Sequence, residues 1–170
     1  MPKITMYLDF ISPYAYLAFK EIERGLSKRV DFTYRPILFA GLLNHYGQLG
    51  PAEIPHRREW TFLQALWQGK EAGIPIQLPQ SHPFNPLALL RLAIAETTSG
   101  NPSQETCNEI FEFVWNRGVD VTDENEFLAL KNAITLERDL NDPTVKEQLK
   151  TNTEEAIANQ VYGVPSLHYN

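Results

Sequence analysis

The sequence predicts an α/β domain whose sheet begins at one end of the chain, is interrupted by helices, and resumes at the other end. Two segments and the stretch between them carry that prediction. The first segment is Ser12-Pro13-Tyr14, directly after the strand-like run Ile4-Thr5-Met6-Tyr7-Leu8-Asp9-Phe10. Ser is a favoured N-cap and Pro a favoured first helical residue, so a hydroxyl sits at a strand-to-helix corner. The second is Gly163-Val164-Pro165-Ser166, which reads as a helix stop followed by a conformationally fixed turn into a strand. Between them, from Phe39 to about Gln160, no segment shows a convincing strand pattern.

The elements follow in order. After Ser12 and Pro13 a helix carries Tyr16, Leu17, Phe19 and Ile22 toward Gly25. Val30-Asp31-Phe32-Thr33-Tyr34-Arg35 alternates apolar and polar residues for a second strand, stopped by Pro36. This completes a parallel β-α-β unit with a right-handed crossover. Trp60, Leu63 and Trp67 repeat at helical spacing, as do Leu87, Leu90 and Ile94, and Cys107, Ile110, Phe111 and Val114. Asp123 with Glu126 forms a capping signal before Phe127 and Leu130. Asp142-Pro143 opens a long helix expected to run through Val145, Leu149, Ile157 and Val161 to Gly163. Pro75, Pro79, Pro83 and Pro86 punctuate a connection of the kind that forms a lid or binding loop. The chain thus divides into sheet segments 1–38 and 141–170 around a helical insertion, 39–140. A sheet with only a third strand beginning after Pro165 leaves the first helix poorly covered, so a further hairpin and helix of roughly 25 residues is expected beyond it.

Composition narrows the function. With 43% apolar and 21% charged residues the chain is an ordinary globular protein. A formal charge of −6 argues against a phosphate-backbone partner, and Pro55-His56-Arg57-Arg58 is the only basic cluster. No apolar run approaches the roughly 20 residues of a membrane helix, and the amino terminus lacks the pattern of a cleaved leader, which gives a cytoplasmic reading. Cys107 is the single cysteine, so thiol chemistry must borrow its sulfur from a ligand; on its apolar stripe it reads as a small core residue. His45, His56, His82 and His168 lack metal-ligand spacing, and no metal is expected. Trp60, Trp67 and Trp115 read as core or interface aromatics, and Arg57 and Arg58 as a solvated helix start.

Four segments in order along the chain, residues 8–18 (LDFISPYAYLA), Gly47-Gln48-Leu49-Gly50-Pro51, Gly73-Ile74-Pro75 and Tyr162-Gly163-Val164-Pro165, resemble the 2-hydroxychromene-2-carboxylate isomerase family. That family groups with the kappa-class glutathione transferases in the thioredoxin-like fold of the DsbA/kappa type. The resemblance implies a cis peptide between Val164 and Pro165. It also implies glutathione as cofactor, a small aromatic carboxylate as substrate and a homodimer. Ser12 takes the catalytic role, stabilising the thiolate of bound glutathione. A free thiol of pKa about 8.5 is only a few per cent ionised at pH 7. A helix amino terminus contributes about 0.3–1 kcal/mol and a charge-assisted hydrogen bond about 1.5–3. At 1.36 kcal/mol per unit, a depression of about one to two units is attainable after some loss to desolvation.

By the same resemblance, Gln48, Val164 and Pro165 join Ser12 in holding glutathione, and Phe84 and Asn85 lie beside the organic substrate. The implied reaction adds the thiolate to a 2-hydroxychromene-2-carboxylate, opens the ring, rotates the resulting single bond and releases glutathione with trans-o-hydroxybenzylidenepyruvate, in aromatic hydrocarbon degradation. A kappa-like glutathione transferase or peroxidase, and a non-catalytic DsbA-like binding module, are the alternatives. Two departures stand out. The lysine that some isomerases place before the Gly-Asn segment is here Leu43 or a neighbour, which leaves Arg57, Arg58 or another group for the substrate carboxylate. The family's tryptophan-glycine-acidic segment, which holds the γ-glutamyl end of glutathione, has no counterpart after Leu167.

Overall fold

A computed structural model describes residues 2–169. Met1 and Asn170, the outer bounds of the two sheet segments, lie outside the described residues. The order is β1 (Lys3–Leu8), α1 (Pro13–Arg24), β2 (Asp31–Pro36), α2 (Phe39–Tyr46), α3 (Arg57–Ala72), α4 (Leu87–Ala95), α5 (Gln104–Trp115), α6 (Glu124–Ala133), α7 (Pro143–Ala158) and β3 (Ser166–Tyr169). Strand β1 is central in the order β2-β1-β3. It pairs parallel with β2, from Lys3 opposite Asp31 to Leu8 opposite Pro36. It pairs antiparallel with β3, with Tyr7 opposite Ser166 and Ile4 opposite Tyr169. The expected β-α-β unit and the strand after Pro165 are both present.

A central strand covered on both faces should be apolar throughout, and Met6, Tyr7 and Leu8 are fully buried. The two faces separate by alternation. Met6 and Leu8 join a large cluster with Phe10, Tyr16 and Phe19 that continues into α4 and α5 through Leu90, Ile94, Phe111 and Trp115. Tyr7 faces Ile37, Leu42, Ala156 and Val161. Its hydroxyl donates to Glu155 Oε1 at 2.8 Å, and Glu155 also pairs with Arg35. Cys107 is fully buried in the large cluster, where desolvation pushes its thiol well above the usual range.

The structure corrects one expectation, narrows a second from core or interface to surface, and adds an element that was not expected. Helix α7 stops at Ala158, well before Gly163. Gln160 takes the left-handed conformation at φ 60°, and Val161 N donates to Ala156 O at 2.9 Å. That bond and the burial of Val161 beside Ala156 close the helix as a Schellman turn, with glutamine where glycine is usual. Second, Trp60 and Trp67 on α3 do not enter the core: they are 59% and 61% exposed, with Leu63 at 67%. The core instead takes Ala65 and Gly69 from the opposite face of that helix. Third, α2 has no counterpart in the elements expected from sequence.

Candidate functional site

The site is assembled at the carboxyl end of β1. Ser12 has extended backbone angles (φ −95°, ψ 118°) and caps α1: its Oγ accepts from Ala15 N at 3.2 Å. Pro13 follows in the first turn, where its missing N–H costs nothing. The pairing of Tyr7 with Ser166 brings the end of the 159–165 turn beside this corner. There the Ser12 hydroxyl donates to the Val164 carbonyl at 3.2 Å, across 152 residues of sequence. The Val164–Pro165 peptide is cis, as expected, and so is His82–Pro83, which the sequence reading missed.

Around Ser12 opens a cavity of about 250 Å³. Its floor is Asp9, Ser12 and Val164. One wall is Phe39, Leu43, Gly50 and Pro51, and the other is Arg58, Thr61, Phe62, His82 and Phe84. Residues from α2, α3 and the proline-rich connection therefore face a corner built by the sheet. The lining is mainly apolar, and Arg58 is its one cationic side chain with no acid partner among the described residues. The guanidinium lies 5.8 Å from the Phe62 ring centroid.

Two ionisable groups line the cavity with shifted pKa values, Asp9 on the floor and His82 on the wall. Asp9 is fully buried, and its carboxyl accepts from Ile11 N at 3.1 Å and from Phe39 N at 2.9 Å. Burial pushes its pKa up to about 7, against the two backbone N–H groups, which favour the ionised form. His82 Nε2 lies 2.9 Å from Ile11 O, and a carbonyl only accepts, so Nε2 carries the proton. The other nitrogen, Nδ1, is buried without a hydrogen-bond partner. Desolvation holds this imidazole below the usual histidine pKa, so it is neutral near pH 7. Phe62, Phe84 and Trp115 surround its ring at centroid distances of 5.0, 5.9 and 5.8 Å.

Of the residues singled out from sequence, Ser12, Val164 and Phe84 meet at this cavity. Pro165 adjoins it through Val164. Gln48 is exposed two residues before the wall residue Gly50 and is not on the wall. Asn85 is exposed outside the cavity, its side chain accepting from Leu87 N at 3.0 Å as a local turn cap. Leu43, at or beside the position where the resemblance sets a lysine in some isomerases, lies on the wall; of Arg57 and Arg58 only Arg58 does. Asp9, Thr61, Phe62 and His82 carried no predicted role. A carboxylate ending an apolar strand immediately before a helix corner is the one signal that marked Asp9; the others become neighbours only through the fold.

"Glutathione s-transferase kappa 2" of Caenorhabditis elegans is 26% identical over 182 residues, covering 97% of this chain and 80% of that protein. The solved structure of 2-hydroxychromene-2-carboxylate isomerase superposes with a TM-score of 0.83 at 19% identity, covering 99% of this chain and 85% of that one. The cytosolic disulfide reductase DsbM from Pseudomonas aeruginosa, solved with GSH, superposes with a TM-score of 0.63 at 12% identity, covering 97% and 84%. The DSBA-like thioredoxin domain profile matches residues 3–170, and the chain belongs to that family.

Proposed function

We propose that this protein is a glutathione-dependent isomerase of the 2-hydroxychromene-2-carboxylate type, with Ser12 as the residue that stabilises the glutathione thiolate. The observation that carries the proposal is the Ser12 hydroxyl at the head of α1, hydrogen-bonded at 3.2 Å to Val164 O on the floor of the cavity. A serine hydroxyl has one proton, spent here on that carbonyl. When a cysteinyl ligand binds, the hydroxyl turns to the sulfur, and the Val164 carbonyl is released to accept the ligand's peptide N–H. One exchange serves both ends of the cysteinyl unit. The amide dipoles of α1 and the Ser12 proton then favour thiolate over thiol. Asp9, its pKa pushed up to about 7 by burial, carries only part of a negative charge beneath the sulfur near neutral pH.

The organic substrate occupies the apolar remainder, against Phe62 and Phe84, with its carboxylate toward Arg58. Thiolate attack forms a carbon–sulfur bond and opens the ring; rotation and elimination break that bond, so glutathione returns as a cofactor with no net redox change. With Leu43 on the wall, Arg58 is the cation available to the carboxylate. The reaction belongs to aromatic degradation in the cytoplasm. Likeness to a kappa-class transferase favours a second reading, conjugation of the same thiolate to an electrophile with no elimination.

The test is to titrate glutathione into the wild-type protein and Ser12→Ala while following thiolate absorbance, then to supply the hydroxychromene carboxylate. The expected result is a bound thiol pKa about one to two units lower in the wild type than in the variant, with isomerised product and full recovery of glutathione. A stable conjugate selects the transferase. Absence of both binding and a serine-dependent spectral change leaves a non-catalytic DsbA-like module.

A further inference from the structure

Helix α2 and the residue before it separate two concavities. Phe39, Ala40 and Leu43 face the cavity around Ser12, whereas Leu38, Gly41 and Asn44 face a groove of about 520 Å³ shared with α4 and α7. A volume of that size takes a small organic molecule. Thr153 of α7 closes its base: the hydroxyl accepts from Leu38 N at 3.0 Å, and the methyl lies 3.0 Å from where a Cβ on Gly41 would stand. The lining has two parts. Leu38, Leu87, Leu149 and Ile157 are aliphatic, buried or half-buried, and none protrudes into solvent; Arg91, Lys146 and Lys150 are cationic.

Arg91 is the one charged residue of α4, in the run LALLRLAIA. It is half-buried, and its Nε is buried without a hydrogen-bond partner. A guanidinium so placed ordinarily meets a carboxylate. Here it meets more positive charge. Arg138 donates to Ile94 O of α4 at 2.8 Å and to Thr144 Oγ1 of α7 at 3.4 Å, so the end of α4 lies beside the start of α7 and Arg91 faces the Lys146 end of the groove. Neither Arg91 nor Lys146 has an acid partner among the described residues, and Lys150 is held only loosely, by Glu147 and Glu154 at 3.8 and 3.9 Å. Glu154, about two turns along α7 from Lys146, is the one carboxylate on the lining. Three cations against one carboxylate leave an excess of positive charge on a chain of net charge −6. That excess matches a phosphate monoester, which carries about −1.5 to −2 at pH 7, and the guanidinium fork fits two of its oxygens. A monocarboxylate would leave a cation unmatched, and a nucleic-acid backbone would meet the acidic remainder of the surface. The aliphatic lining favours an ester over inorganic phosphate, and because it does not protrude it receives a molecule that enters the groove rather than a bilayer. We propose that the groove between α2, α4 and α7 binds a small-molecule phosphate monoester with an apolar body, its phosphate held by Arg91 and Lys146.

The experiment titrates phenyl phosphate into the full chain by calorimetry at low ionic strength, with inorganic phosphate and benzoate as comparisons. Phenyl phosphate is expected to bind, and the two comparisons each about tenfold more weakly, one for want of the ring and the other for want of the second charge. Arg91→Gln is expected to weaken phenyl phosphate on the order of tenfold to a hundredfold. Lys146→Glu, at an exposed helix position where the fold is undisturbed, is expected to weaken it about tenfold, so a folding defect at Arg91 does not decide the outcome. Ser12→Ala and Arg58→Ala are expected to leave the affinity unchanged, because both lie in the other cavity; glutathione binding can therefore fail without touching this result. The proposal is overturned if phenyl phosphate does not bind, or if Lys146→Glu leaves its affinity unchanged. Inorganic phosphate or benzoate binding as tightly as the ester overturns it too, as does an affinity lost in Arg58→Ala. Capture of the protein by phosphatidylcholine vesicles carrying phosphatidic acid, with no binding of free phenyl phosphate, assigns the groove to a lipid headgroup and also overturns it.

Discussion

Replacing Asp9 by asparagine isolates one titration in the whole protein. The carboxyl is fully buried, and desolvation raises it from an ordinary 3.8 to about 7. In the unfolded chain it titrates near 3.9. Between those values the folded protein retains a proton that the unfolded chain has released. The stabilisation is therefore complete below about pH 4 and is lost as pH rises through 7. Three units at 1.36 kcal/mol each give about 4 kcal/mol. Asparagine has nearly the same volume and accepts from only one of the two backbone donors, Ile11 N and Phe39 N; its own NH₂ meets the other. That costs about 1–3 kcal/mol at every pH. The assay is urea unfolding of both proteins at intervals from pH 4 to pH 8. Other titrating groups cancel in the difference, and the wild-type advantage should shrink by about 4 kcal/mol toward pH 8. A pH-independent difference, or one that grows with pH, would refute the reasoning, because it would mean that the two N–H groups outweigh burial and hold the carboxylate ionised.

Ser12→Ala should lower unfolding stability by about 1 kcal/mol through loss of the α1 cap, and Ser12→Thr should recover most of it; thermal melts separate this structural cost from the effect on the thiol. Arg58→Ala should raise KM for a carboxylate-bearing substrate about tenfold while kcat changes little, since the cation acts on bound substrate and transition state alike; steady-state kinetics checks the split, with a neutral amide analogue expected to be indifferent to the change. Trp115→Phe removes the buried 2.8 Å bond from Nε1 to Phe10 O and should cost about 1–3 kcal/mol in urea unfolding.

Local signals were readable in the sequence and non-local ones were not. Ser12-Pro13 and Asp142-Pro143 are complete instructions for starting a helix, because the cap and the first turn are adjacent in sequence, and both helices begin there. Helix α2 lacks any side-chain cap of its own. Its first N–H is satisfied by Asp9 from the neighbouring strand end, and Leu38 N by Thr153 Oγ1 on α7 at 3.0 Å. The instruction for α2 is thus spread over three distant segments, and periodicity in 39–46 alone could not supply it. The early stop of α7 follows the same logic: an αL glutamine is tolerated because burial of Val161 closes the turn. Helix α3 shows the limit of reading a hydrophobic stripe, since periodicity says that Trp60, Leu63 and Trp67 share a face but not what that face meets.

The division of labour in the cavity follows from these two kinds of instruction. The groups proposed to hold the thiol, Ser12 and Val164, come from the sheet layer and are brought together by the pairing of β1 with β3. The groups that would select the organic substrate, Leu43 of α2, Arg58 and Phe62 of α3, and Phe84 of the proline-rich connection, touch the corner only through packing. The two sets meet at Asp9, whose carboxyl binds the α1 corner through Ile11 N and α2 through Phe39 N. Ile11 in turn holds His82 of the opposite wall by its carbonyl. Substitutions on the walls should therefore change which electrophile is accepted and leave the thiol pKa in place, whereas a change at Asp9 should shift both, because both walls hang from the same five residues between Asp9 and Pro13.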